Sequence, residues 1–392
     1  MYLRRIPATR PAFTLVELMV AMALIIFIMY VLAEAFSAGA GAVSHLKAVG
    51  DMNERLRGAA NLLRRILQAD HFDGRRRLSD RNFWIVDGVE SPPPEGFFRI
   101  LQINTANAYP GVWNEGTDLD LNPSVRATGD ALHFTARLRG NKRDSFFQAS
   151  AGVLTQNFPG SRFQEGSNYT SPMAEVAFYL QPVNPVENTV DGGTIRLHTL
   201  YMRQRLLVSS NDDVPAAAKG GNSADFLEVS HTGTPGNLYF NNAADVTIPQ
   251  RRFAAGNANP YTWPTFATEN PAQAGNDVVL TDVISFEVRV LLHPDCYGGN
   301  PRTFVRLDDA VFAAMTNTTF GTARVFDTWS SRSDGTFDYS GWKPTGTPTA
   351  TTIPMYTAAN GERIRIVAIQ VTIRIWDNKT KQARQTSVVV DL

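Results

Sequence analysis

From Phe13 to Ala33 the chain is apolar at almost every position, and a single carboxylate, Glu17, lies inside that run. As a helix these residues span about 31 Å, close to the thickness of one bilayer core. Arg4, Arg5 and Arg10 precede the run and no acid does. The basic flank is therefore expected to stay cytoplasmic and the rest of the chain to lie on the far side. A secretory signal peptide cut near Ala38-Gly39-Ala40, a plain anchor or a buried core helix would each accommodate the apolar residues. None has a use for Glu17, because a carboxylate in such a segment costs about 2.5–3.5 kcal/mol on insertion scales.

The hexapeptide Phe13-Thr14-Leu15-Val16-Glu17-Leu18 resembles the processing and methylation signature of type IV prepilins and of the pseudopilins of type II secretion. The resemblance joins a basic leader, a Phe, a Glu four residues later and an unbroken apolar run. It implies a leader of residues 1–12, removed by a prepilin peptidase between Ala12 and Phe13, and N-methylation of the new amine on Phe13. Ala12 stands where the family usually has Gly. Residues 13–36 become a transmembrane helix. Glu17 then acquires a role in assembly, because it can meet the Phe13 amine of a neighbouring subunit. A paired charge in low dielectric recovers much of its desolvation penalty, and an unpaired one does not.

Helical periodicity continues beyond the membrane run. Val49, Met52, Leu56, Ala60, Leu63 and Leu67 recur at three- and four-residue steps. The spacing predicts that residues 37–72 prolong the helix on the non-cytoplasmic side and lay an apolar stripe on a globular domain. Arg75-Arg76-Arg77 follows, read as a solvated loop or, more sharply, as a contact for acids on a partner.

After residue 80 the period changes from 3.6 to 2. Alternation marks strands at Ala131–Leu138, Ala174–Leu180, Leu200–Val208, Ile284–Val290 and Val367–Ile375, and a turn at Asp377-Asn378-Lys379-Thr380 leads to a last strand through Val388 and Val390. The fold class expected is α+β: a long N-terminal transmembrane helix packed on a mainly antiparallel two-sheet β domain, pilin-like, over 73–392. Polar stretches at about 88–128, 209–275 and 298–360 are expected as long loop insertions on that scaffold.

Met173–Leu180 with Leu200–Leu207, Asp282–Val288 and the closing hairpin from Ile364 are similar to strands of J-type minor pseudopilins. That resemblance implies a structural subunit at the tip of a type II secretion pseudopilus, priming assembly for protein export. Its implied partners are the I-type and K-type minor pseudopilins, the major pseudopilin, the prepilin peptidase and the inner-membrane assembly platform. The implied location is the inner membrane, single-pass, with the C-terminal domain periplasmic. Two alternatives stay open: a minor pilin of a type IV pilus, serving adhesion or DNA uptake, and a membrane-anchored enzyme or binding protein with a borrowed pilin leader.

Sequence signals for chemistry are sparse. The six histidines show no metal-ligand spacing, and no His-Glu-x-x-His, Gly-x-Ser-x-Gly or phosphate-binding Gly loop occurs. No catalytic residue, cofactor or metal is therefore expected. His133 and His198 fall in strands and are expected on the solvent face. Asp118-Leu119-Asp120 opens like a calcium loop but meets Pro123 where that motif needs Gly, and Asp212-Asp213 adds only two carboxylates. Cys296, the single cysteine, excludes an internal disulfide and reads as a small buried residue. Lys+Arg and Asp+Glu number 37 each, so no general pull on nucleic acid is expected. Arg137, Arg139, Lys142 and Arg143 beside Phe146 and Phe147 are accordingly read as a solvated strand end.

Overall fold

The computed structural model describes residues 14–83, 85–86, 89–90, 93–103, 115–117, 126, 128–150, 168–190, 193–208, 228–234, 237–247, 276–297, 303–307, 319–320, 323–328, 365–378 and 380–392. Two compact units divide the chain, Met1–Asn53 and Glu54–Leu392. Helix α1, Leu15–Leu67, has 53 residues, those up to Asn53 belonging to the first unit and the rest to the second. In the first unit its large apolar side chains from Leu15 to Leu32, and Phe36, are exposed. By length and composition this helix is able to cross a membrane.

In the second unit the last turns of α1 carry the predicted stripe. Leu56, Ala59, Ala60, Leu63, Ile66 and Leu67 are buried, the three-and-four spacing that turns one helical face inward. Each fully buried Leu contributes roughly 1.5–3 kcal/mol. Arg55 clasps the helix to the strand beside it: its guanidinium donates to the Thr281 carbonyl at 2.6 Å, to Thr281 Oγ1 at 2.8 Å and to Asp282 Oδ2 at 3.2 Å. Just past the helix end, His71 Nε2 lies 3.0 Å from the Leu67 carbonyl.

The β structure is built on nine strands: β1 Phe98–Ile103, β2 Ala131–Arg137, β3 Met173–Val190, β4 Gly193–Leu206, β5 Asn276–Leu292, β6 Thr319–Phe320, β7 Ala323–Asp327, β8 Ile366–Asp377 and β9 Gln382–Asp391. They lie in the order β6-β7-β1-β2-β3-β4-β5-β8-β9, and every neighbouring pair is antiparallel. Short strands at Gly116–Thr117 and Phe304–Val305 add to β4 and β5, giving eleven strands in one sheet. Among the described residues the remaining sheets are two-stranded ribbons.

This differs from the expected pair of sheets. Alternation reports which side of a strand is covered, not which strands share a ladder. Here β2 through β5 pair in chain order and β8 continues the run, so one ladder is continuous. The stretches expected as polar insertions also hold structure. Residues 88–128 contain β1; 209–275 contain the ribbon His231–Thr234 with Asn237–Phe240 and the short helix α2, Ala243–Thr247; 298–360 contain β6 and β7.

Burial is two-sided at β1 and β2. Leu132, Phe134 and Ala136 are buried as the alternation predicts, but so are His133 and Thr135 on the opposite face. In β1, Arg99 and Gln102 are buried among apolar neighbours. Gln102 Oε1 accepts from the Leu307 amide at 2.7 Å and its Nε2 donates to the Val288 carbonyl at 2.5 Å. Satisfied in this way, a polar side chain survives in the interior. In β8 the pattern is cleaner: Val371, Ile373 and Ile375 are buried while Thr372 and Arg374 are only half covered.

Candidate functional site

The start of α1 is organised by two side chains. Thr14 precedes the first helical residue, and Glu17 lies three residues on. The Thr14 amide and hydroxyl both donate to Glu17 Oε2 at 3.0 Å, and the Glu17 amide donates to Thr14 Oγ1 at 3.3 Å. This is a capping box: two helix-end amides that no intrahelical carbonyl can reach are satisfied reciprocally. The sequence reading missed it, although Thr-x-x-Glu is its plain signature. Glu17 thus has a local task beside any intermolecular one. Its Oε1 makes no hydrogen bond among the described residues, so one carboxylate oxygen remains able to accept from a cation. Ala12 and Phe13, the expected cleavage and methylation positions, lie outside the described residues, as do Asp118, Asp120, Asp212 and Asp213.

The β domain brings together polar groups that the sequence keeps apart. His133 on β2 and Glu175 on β3 are diagonal neighbours on adjacent strands, His133 pairing with Ala177 and Glu175 with Thr135, and His133 Nε2 lies 2.6 Å from Glu175 Oε1. Ser230 Oγ donates to Glu175 Oε2 at 2.8 Å, and Asn241 Nδ2 donates to Ser230 Oγ at 3.1 Å. Arg203 approaches the same carboxylate at 3.9 Å. Burial alone would push the Glu175 carboxyl up. The hydrogen bond from His133, with the positive charge of His133 when protonated and of Arg203 and Arg205, more than offsets that and holds it well below the usual carboxylate range.

The residue types are those of a hydrolytic triad, but the order is not. A serine nucleophile needs the imidazole on its own hydroxyl. Here Ser230 and His133 occupy opposite oxygens of one carboxylate. All are buried, and none lines the cleft described below. The cluster therefore works as a cross-strand staple. His133 and His198, expected on the solvent face, are both buried; this corrects the alternation reading, which takes one side of each strand to be wet. Cys296 is buried.

A second buried ion cluster centres on Asp130, which precedes β2. Arg306 donates to both of its carboxylate oxygens, at 2.9 and 3.1 Å, and the Val288 amide adds a bond at 2.9 Å. Burial pushes the Asp130 carboxyl up to about 6 against the opposing pull of Arg306. Glu287 lies 3.5 Å from the same guanidinium and is itself paired with Arg289 at 2.9 Å.

Among the described residues no group of three or more His, Cys, Asp or Glu is placed to hold a metal ion. The basic strand end also has local partners: Arg137 lies 3.8 Å from Asp73, Arg139 pairs with Asp70, and Phe147 is buried. No protein-family model, curated protein or solved structure matches the chain.

Proposed function

We propose that the protein is a structural subunit of a type IV pilin-like filament, most specifically a J-type minor pseudopilin of a type II secretion pseudopilus. The observation that carries the reading is Glu17, an acid at the start of a helix long and apolar enough to span a bilayer. The prepilin-like signature around it, the exposed apolar helix and the antiparallel sheet domain support the same reading. In this scheme the peptidase removes residues 1–12, Phe13 carries the new methylated amine, and a neighbouring subunit's amine meets Glu17 Oε1 as the chains pack side by side. The I-type and K-type subunits, the major pseudopilin and the assembly platform are the proposed partners, the subunit residing in the inner membrane before assembly.

Intact-mass measurement of the chain produced with a prepilin peptidase tests the processing half. The expected product lacks Met1–Ala12 and carries one added methyl. A product beginning near Val43 would replace this reading with ordinary signal cleavage.

The assembly half is tested by Glu17→Gln. Glutamine fills the third position of a capping box as well as glutamate does, so the helix start is preserved and only the charge is lost. Membrane insertion is expected to remain intact, and co-assembly with filament subunits to fall about tenfold or more, because the neighbour's amine is left without a counter-charge. Equal co-assembly of wild type and Glu17→Gln would leave the residue with its capping role alone.

A further inference from the structure

Where α1 ends, a cleft of about 670 Å³ opens between the turn after the helix, the end of β2 and the end of β9. Its lining includes Arg65, Arg76, Arg77, Arg137 and Arg139, with Asp70 and Asp391 among them. Two basic runs that lie some sixty residues apart in the chain meet here. The Arg137 amide donates to the Asp70 carbonyl at 2.8 Å, an isolated bridge that lays the end of β2 beside the helix exit.

Part of this charge has a structural use. Arg139 pairs with Asp70 and Arg137 lies near Asp73. Arg65 belongs to the last turn of α1, where a cation offsets the partial negative charge of the helix C-terminus, and it donates to the Asp144 carbonyl at 2.9 Å. Arg76 donates to the Phe83 carbonyl at 3.2 Å. The carbonyl that Arg65 meets fixes its guanidinium without neutralising it, so Arg65 keeps its positive charge at the cleft. Arg77 is exposed, and its guanidinium meets no acceptor among the described residues.

The shape of the site narrows the ligand. The volume falls in the range of about 300–1,000 Å³ that pockets for small ligands and peptide side chains occupy. Leu67, Phe72 and Val390 also line the cleft but are buried, so the side chains it presents are chiefly the charged ones. Phe72 is buried and packs edge-on against Phe83 at 4.8 Å, so it offers no open ring on which a base could stack. Asp70 and Asp391 interrupt the cations, and a continuous phosphate chain would have to pass both.

We propose that this cleft binds an acidic peptide segment of a partner protein, with carboxylates held in forked hydrogen bonds by Arg77 and its neighbours. The site stands on the geometry of residues 65–77, 137–139 and 390–392 and does not rest on the filament reading.

The test uses the full chain in detergent micelles and a fluorescein-labelled octapeptide of alternating glutamate and leucine, followed by anisotropy at low salt. Saturable binding is expected, weakened about tenfold by Arg77→Glu, less by Arg77→Lys, and unchanged by Arg384→Glu on the exposed face of β9. The Arg77 carbonyl accepts from the Asp80 amide at 2.9 Å, a backbone bond that the substitution keeps, and its side chain makes no hydrogen bond among the described residues, so the unfolding midpoint of Arg77→Glu is expected to match wild type. Absence of saturation up to about 1 mM peptide would overturn the proposal. Equal loss in Arg77→Glu and Arg384→Glu would overturn it too, by showing attraction without a site. Displacement of the peptide by an oligothymidine at lower concentration than by unlabelled peptide would assign the cleft to nucleic acid instead.

Discussion

Arg306→Met is expected to cost about 3–5 kcal/mol of stability at pH 8 and much less at pH 5. Arg306 supplies both hydrogen bonds to the outer edge of Asp130, and the methionine keeps an unbranched apolar stem while removing the guanidinium and its charge. Asp130 is fully buried, so without its partner the ionised carboxylate has only the Val288 amide to hold it. The sign of the pH effect follows from the folded carboxyl sitting at about 6, above the ordinary 3.8. Between those values the folded state binds more protons than the unfolded state, so wild-type stability falls as pH rises from about 4 to about 6 and is flat above. Losing Arg306 pushes the carboxyl higher still, so in the variant the fall continues to higher pH. Urea titrations at pH 5 and pH 8 measure both numbers. Equal destabilisation at the two pH values would show that the loss comes from packing and not from the buried charge.

Gly96→Ala is expected to cost about 3–5 kcal/mol, or a fall of roughly 10 °C in Tm. Two independent reasons add. Gly96 holds φ of +100°, a region that side chains other than hydrogen rarely adopt. A Cβ there would also collide with the His71 carbonyl oxygen and lie 3.0 Å from the His71 carbonyl carbon and Phe72 Cα. The segment cannot retreat, since its neighbours are tied on all sides. The Gly96 amide donates to Thr247 Oγ1 at 2.6 Å, the Glu95 carbonyl accepts from Asp73 at 3.0 Å, and the Phe97 carbonyl accepts from Thr135 at 3.0 Å. Gly74 is the matched control: its φ is +67° but no atom lies within 4 Å of its virtual Cβ, so Gly74→Ala is expected to cost only about 1–2 kcal/mol. Thermal unfolding of the two variants side by side separates collision from backbone strain.

How much of this was readable in the chain depended on whether a residue's partners were near in sequence. The membrane run, the helix stripe at Leu56, Leu63 and Leu67, and strands β2, β3, β4, β5, β8 and β9 announce themselves through period alone. β1 does not, because Arg99 and Gln102 break its apolar pattern and are made tolerable by partners such as Val288 and Leu307, far along the chain. His133 misleads for the same reason: only the pairing of β2 with β3 brings Glu175 diagonally beside it. At Glu17 the reverse held. Glu17 stands out because an acid is rare in an apolar run, whereas its nearest partner, Thr14, is an ordinary residue that only the Thr-x-x-Glu spacing marks.

The order of strands bears on how the chain reaches this state. β2 to β5 can zip as successive neighbours, each closing a short or moderate loop. The β1–β7 ladder instead joins Ile103 to Ala323, about 220 residues apart, and loop-closure entropy must be met before that contact returns anything. That edge of the sheet is therefore expected to consolidate last during refolding, and amides of Ala323–Asp327 to acquire hydrogen-exchange protection after those of β3 and β4.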